Sequence, residues 1–133
     1  MREVYGSAPA DLVAAIGPSV GACCYEVGPD VAEAFAAAGF SRAQAAEWFH
    51  DRPQPTMVNP SMESLPVEQK PGHAYFDGWA CATSQLVAAG VPASAVFGAA
   101  LCTASHPDVL CSYRRDRSYA GRIAGVIASR AAR

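Results

Sequence analysis

The sequence predicts an α+β domain, with helices and strands interspersed but without the regular strand–helix–strand rhythm of a doubly wound sheet. Three observations carry this expectation. A short unbroken apolar run stops at Gly17-Pro18, two stretches of the chain show capped helical periodicity, and a proline-rich interval between them keeps neither period. With 133 residues, 51% of them hydrophobic, the chain has the size of one domain and can bury a modest core, so residues 1–133 are read as a single unit.

Arg2 to Tyr5 are helix-forming types and Gly6 is a helix stop, yet no capping residue precedes Arg2. The chain is therefore expected to begin inside a helix's final turn, with Met1 once internal to a longer protein. Leu12 to Ile16 is a continuous apolar run, the pattern of a central strand buried on both faces. Pro29 suits a first helical position, Val31, Ala34, Phe35 and Ala38 share one face, and Gly39 closes that helix. Ser41 caps a second short helix through Trp48. Residues 51–72 are proline-rich and aperiodic, a surface loop. His73 to Phe76 reads as a strand and Asp77 as the cap of a helix with Trp79, Ala82, Leu86 and Ala89 on one face, ending at Gly90. Val96 to Leu101 and Ile123 to Ala128 are two further strand candidates.

Composition narrows the function classes. The net charge is −2 and the ten Lys and Arg residues form no dense run before the last twenty positions, so no nucleic-acid partner is expected. No apolar stretch approaches the roughly 18–20 residues that span a bilayer, and the first residues do not form a signal peptide. These features predict a soluble, cytoplasmic chain without a membrane partner. An odd number of cysteines with Cys23 beside Cys24 suits reduced thiols rather than a disulfide framework.

Four groups of residues could carry chemistry. The loop Gly17-Pro18-Ser19-Val20-Gly21 follows the apolar run directly, and its glycines and N–H groups could admit an anion such as phosphate; the alternative is a tight structural turn. Cys23 or Cys24 could be a nucleophile if His50, His73 or His106 lay beside it, against the commoner buried structural cysteine. Cys102, His106 and Cys111 offer soft and imidazole ligands within ten residues but lack paired Cys-x-x-Cys spacing, and His106-Pro107-Asp108 is ordinary turn chemistry. Arg114 and Arg115, in Ser112-Tyr113-Arg114-Arg115-Asp116-Arg117, could fork an anion, or belong to a solvated loop in which Asp116 pairs with a neighbour.

The segment IGPSVGACCYEVG resembles a signature of the laccase-like polyphenol oxidoreductase family, also described as purine nucleoside phosphorylases or peptidoglycan editing factors. FDGWACATSQLVAAGV is similar to that family's Leu-Asp-Leu-Trp-x-Ala-Asn helix start and Leu-x-x-x-Gly-Val end. CTASHPDVLCSYRRDRSYAGR resembles its Cys-Thr, Phe-Phe-Ser-Tyr-Arg-Arg-Asp and Thr-Gly-Arg terminal motifs. Gly78, Cys81-Ala82, Leu110-Cys111 and Ala120 depart from those patterns, while Tyr113 to Asp116 stands intact. The resemblance covers nearly the whole chain and about the C-terminal half of a family protein.

It implies a layered α/β/β/α sandwich, present here in part, and phosphorolysis of adenosine, inosine and related nucleosides, with adenosine deamination besides. Purine nucleoside and phosphate are the implied partners. The implied metal is zinc, or copper in older descriptions, held by two histidines and a cysteine in Val-His-Gly, Ala-Asp-Cys-x-Pro and His-Ala-Gly-Trp-Arg-Gly. None of these motifs occurs in this sequence, so no metal ligand is assigned within it and the chain alone is expected to be inactive, completed by an N-terminal half. Gly17, Ser19, Gly21, Arg114 and Arg115 are the implied phosphate- or substrate-binding candidates. A non-catalytic remnant or binding module of the same fold is the alternative, and a cysteine hydrolase ranks below it. Three histidines are too few for a multicopper oxidase cluster.

Overall fold

The computed structural model describes residues 2–62 and 70–128. Its elements, in chain order, are α1 (Arg2–Tyr5), β1 (Ala14–Ile16), β2 (Glu26–Val27), α2 (Pro29–Ala37), α3 (Arg42–Trp48), β3 (Phe49–His50), β4 (Ala74–Phe76), α4 (Gly78–Ala88), β5 (Val96–Gly98) and α5 (Tyr113–Asp116). Helix and sheet are mixed without a repeating unit, as the α+β expectation requires.

The helices form where local chemistry places them. Pro29 opens α2 with its missing N–H at a position that needs none. Ser41 and Gln44 cap α3 reciprocally: Ser41 Oγ accepts from Gln44 N–H at 3.2 Å, while Gln44 Oε1 accepts from Ser41 N–H at 2.9 Å. Asp77 Oδ1 accepts from the N–H groups of Trp79 and Ala80 at the start of α4, at 3.0 and 2.9 Å.

The strands make two small sheets. β1 and β5 pair in parallel with Ala14, Ala15 and Ile16 opposite Val96, Phe97 and Gly98. β4 lies between β2 and β3, antiparallel to both, so that Tyr75 faces Glu26 on one side and His50 on the other. Beneath this second sheet α2 and α3 contribute an aromatic cluster, with Phe35 meeting Phe40, Trp48, Phe49 and Phe76 at centroid distances of 5.4–5.7 Å. Trp48 is almost wholly buried within it.

Several expectations are corrected. The apolar run ending at Ile16 forms a strand only from Ala14, its one ladder partner among the described residues is β5, and Val13 is 63% exposed. It is not the centrally buried strand that its composition suggested, because apolarity signals burial without fixing how many strands flank the segment. Ile123 to Ala128 takes no strand conformation: it pairs with no strand among the described residues, and Val126 and Ile127 are exposed. The strand expected from Val96 to Leu101 ends at Gly98, since Ala100 adopts φ 50° and turns the chain before pairing resumes between Ser19 and Cys102. Residues 51–62 and 70–73 are irregular, as the proline-rich composition implies, so the expected strand starts at Ala74 rather than His73; residues 63–69 lie outside the described set.

Candidate active site

The loop after β1 is stitched to the segment after β5. Ser19 N–H donates to Leu101 O at 3.2 Å, and Thr103 N–H donates to Ser19 O at 2.9 Å. Asn59, buried in the proline-rich interval, fastens the same seam from outside: its Nδ2 donates to Ala100 O and its Oδ1 accepts from Cys102 N–H at 2.7 Å. Across the top, Trp79 Nε1 donates to Ser19 Oγ at 2.7 Å. Gly21 must be glycine here, because a Cβ would lie 2.6 Å from the Trp79 ring.

Two features arise from this seam. The first is an open cavity of about 460 Å³ lined by Val20, Tyr25, Thr103, Ser112, Tyr113, Arg114 and Arg117. Arg114 crosses it, with its guanidinium carbon 5.1 Å from the centroid of the Tyr25 ring and Nη2 donating to Glu26 O at 2.7 Å. The hydroxyl oxygen of Ser112, on the cavity wall, is buried without a hydrogen-bond partner among the described residues. The second feature backs the first. Cys23 and Cys24, just before Tyr25, meet Cys102, just before Thr103, so that the three sulfurs lie within 4.8 Å of one another. All three are buried, with Val20, Met62 and Trp79 packed around them.

The electrostatics of the thiols follow from their contacts. Hydrogen bonds from Cys23, then Cys24, together with Gly21 N–H at 3.3 Å, hold the Cys102 thiol well below its usual range. The contact with Cys102 and burial push Cys23 and Cys24 the other way.

The structure separates the residues that sequence grouped. Arg114 lines the cavity, whereas Arg115 turns inward and donates to the carbonyls of Thr103, Ala104 and Leu110, at 2.9, 3.3 and 2.9 Å. Gly17 faces open space, while the N–H groups of Ser19 and Gly21 are already engaged, with Leu101 O and Cys102 Sγ, leaving Val20 as the loop's contribution to the cavity wall. Cys102, His106 and Cys111 do not form a donor set: His106 Nδ1 lies 2.7 Å from the backbone oxygen of Cys102, and Cys111 is exposed. Nor is a cysteine–histidine pair formed for Cys23 or Cys24, whose side-chain hydrogen-bond neighbour outside the trio is Ser105 Oγ at 3.5 and 3.6 Å. His73 Nδ1 instead lies 3.0 Å from Glu26 Oε1. Sequence reasoning missed the trio because Cys102 is remote from Cys23 and Cys24 along the chain.

A fold of two small sheets with an arginine-lined cavity behind one seam defines a class, and comparison with known proteins supplies it. The family described as multi-copper polyphenol oxidoreductase laccase matches residues 1–130, and the chain belongs to it. It is 33% identical over 124 residues to the purine nucleoside phosphorylase YlmD of Geobacillus stearothermophilus, covering 92% of this chain and 38% of that protein. A purine nucleoside phosphorylase of Xylella fastidiosa is 35% identical over 118 residues, covering 89% of this chain and 37% of its own length. Among solved structures, a Bacillus licheniformis hypothetical protein YfiH superposes with a TM-score of 0.63 at 28% identity, covering 84% of this chain and 35% of that one. A Neisseria meningitidis protein of DUF152 gives 0.62 at 28% identity, with 86% and 38% covered. The chain thus spans well under half the length of these relatives. No helix among the described residues is long and apolar enough to cross a membrane.

The metal that the family name implies does not fit the residues present as the resemblance describes it. The donor set that the described residues bring together is three thiols with no imidazole, not two histidines and a cysteine.

Proposed function

We propose that this chain supplies the anion-binding share of a purine nucleoside phosphorylase site. The observation that carries the reading is Arg114, held across the cavity by Tyr25 and Glu26 O beside the unpartnered hydroxyl of Ser112. A cavity of about 460 Å³ falls in the size range of small-molecule sites. In phosphorolysis an oxygen of phosphate forms a bond to the anomeric carbon of the ribose while the glycosidic bond to the base breaks. The electron pair leaves on the base, which takes up a proton. Arg114 would neutralise the attacking phosphate and the sugar phosphate that results, an electrostatic role with no proton transfer. Ser112 and Thr103, which line the same cavity, would shape it around the phosphate or ribose oxygens. Gly17, Ser19 and Gly21 shape the cavity through Val20, and Arg115 fixes the turn on which Thr103 stands.

The relatives named as purine nucleoside phosphorylases support the substrate class, and the arginine cavity supports the anion. The complete reaction would also need the histidine and cysteine motifs that this sequence does not contain. The test is phosphate-dependent release of adenine and hypoxanthine from adenosine and inosine, by this chain alone and by the chain joined behind a segment bearing those motifs. Turnover confined to the joined form, and abolished by Arg114→Ala, supports the reading; turnover that ignores Arg114 overturns it. Appearance of inosine from adenosine in the same assay reports deamination. The second reading, a binding module without catalysis, is favoured by the exposure of Val109, Val126 and Ile127, and predicts silence in both forms.

A further inference from the structure

Cys23, Cys24 and Cys102 do more than fill a core. Small apolar side chains would pack the space among Val20, Met62, Ala104 and Trp79 as well, yet the fold brings three sulfurs from two separate loops to within 4.8 Å of one another. The three are 4%, 5% and 0% exposed, so no water competes for them. Their surroundings are polar where a bound cation needs them to be. Gly21 N–H points at Cys102 Sγ, and Ser105 Oγ, whose proton goes to Pro60 O, lies 3.5 and 3.6 Å from the sulfurs of Cys23 and Cys24. Both loops are pinned from outside by Asn59, Trp79 and the pairing of Ser19 with Cys102, so the sulfurs are positioned before any ligand arrives.

We propose that Cys23, Cys24 and Cys102 form a binding site for one thiophilic d¹⁰ cation, Zn(II) or Cu(I), independent of the phosphorylase reading. Soft thiolates select such cations over harder ones. Three sulfurs suit the trigonal preference of Cu(I); for Zn(II), Ser105 Oγ is the oxygen within reach of a fourth position. Binding forms three metal–sulfur bonds and releases the protons that the thiols still hold, so affinity climbs with pH. The sulfurs are buried, and the role of such a site is to lock the two loops that carry Tyr25 and Thr103 into the cavity wall.

The experiment adds Zn(II), or Cu(I) under anaerobic reducing conditions, to the reduced 133-residue chain and measures bound metal, with Cys81→Ser as a control for a buried thiol outside the trio. One equivalent is expected in the parent and the control, with affinity at least tenfold lower in Cys23→Ser, Cys24→Ser and Cys102→Ser. Preference for Zn(II) or for Cu(I) decides which cation the site takes. X-ray absorption on the loaded parent, which needs no variant to fold, is expected to show three sulfur neighbours, at about 2.3 Å for Zn(II). A first shell dominated by nitrogen and oxygen, equal affinity in Cys102→Ser, or no binding by the parent would overturn the proposal.

Discussion

Arg115 and Asp116 are chain neighbours that close a bidentate fork on themselves, with Nε donating to Oδ1 and Nη2 donating to Oδ2, each at 2.7 Å. The remaining guanidinium hydrogens reach back to Thr103, Ala104 and Leu110. The acidic partner thereby orients Arg115 away from the cavity and leaves Arg114 to face it.

Removing that fork should be a folding defect before it is a binding defect. Arg115→Ala leaves three carbonyls without their donor, for an expected loss of about 1–3 kcal/mol, read as a lower midpoint in urea. Arg114→Ala should shift the midpoint much less. Equal midpoints for the two variants would show that Arg115 does not hold the seam.

The same pair sets an acid response. Hydrogen bonds from Arg115 hold the Asp116 carboxyl below its usual value of 3.8. A carboxylate depressed in the folded state contributes stability that is fully present above the unfolded value and is lost as pH falls through the folded one. The stability difference between the parent and Asp116→Asn should therefore be constant from neutral pH down to about 5, then shrink as the medium is acidified further. Because Asp116 is solvent-accessible, added salt should also reduce it. A difference that grows on acidification contradicts this assignment.

Gly21 is required by contact. Gly21→Ala places its Cβ within 3.0 Å of two atoms of the Trp79 ring, both on a side chain anchored to Ser19. Overpacking of this kind costs about 1–3 kcal/mol, and the indole should report it as a changed near-ultraviolet circular dichroism signal. An unchanged spectrum and midpoint would mean that Trp79 is not fixed where the structure puts it.

Asn59 is buried and bonded on both ends of its amide. Asn59→Ala strands Ala100 O and Cys102 N–H, for an expected cost of about 1–3 kcal/mol; Asn59→Asp keeps the acceptor for Cys102 N–H but loses the donor to Ala100 O. Hydrogen exchange at Cys102 should quicken more in the alanine variant than in the aspartate variant. Equal protection in both would remove Asn59 from the seam.

How much of this was legible in the sequence depended on how local the signal was. α2, α3 and α4 could be read directly, because Pro29, Ser41 and Asp77 act on backbone groups within a few residues. β2 and β3 could not, since two residues carry no period and Glu26–Val27 and Phe49–His50 are strands only through β4. Ile123 to Ala128 misled for the converse reason: its residues favour a strand, but a strand needs an edge to pair with. The arginines were found by type and motif, but which of them enters the cavity was decided by Asp116 and by three carbonyls that no spacing rule reaches. The thiol trio depends on a parallel bridge between Ser19 and Cys102, a non-local pairing with no sequence signature.

The most direct test of the central claim is the affinity of the chain for inorganic phosphate and for ribose 1-phosphate, by titration calorimetry, in the parent, Arg114→Ala and Arg115→Ala. A charged hydrogen bond lost from an anion site corresponds to about 1.5–3 kcal/mol, roughly a tenfold to hundredfold weaker Kd. That loss is expected in Arg114→Ala, with folded Arg115→Ala retaining the parent's affinity. Anion binding by the parent that survives Arg114→Ala undiminished, or no binding by the folded parent at all, would contradict the assignment of the Tyr25–Arg114 cavity as the anion site.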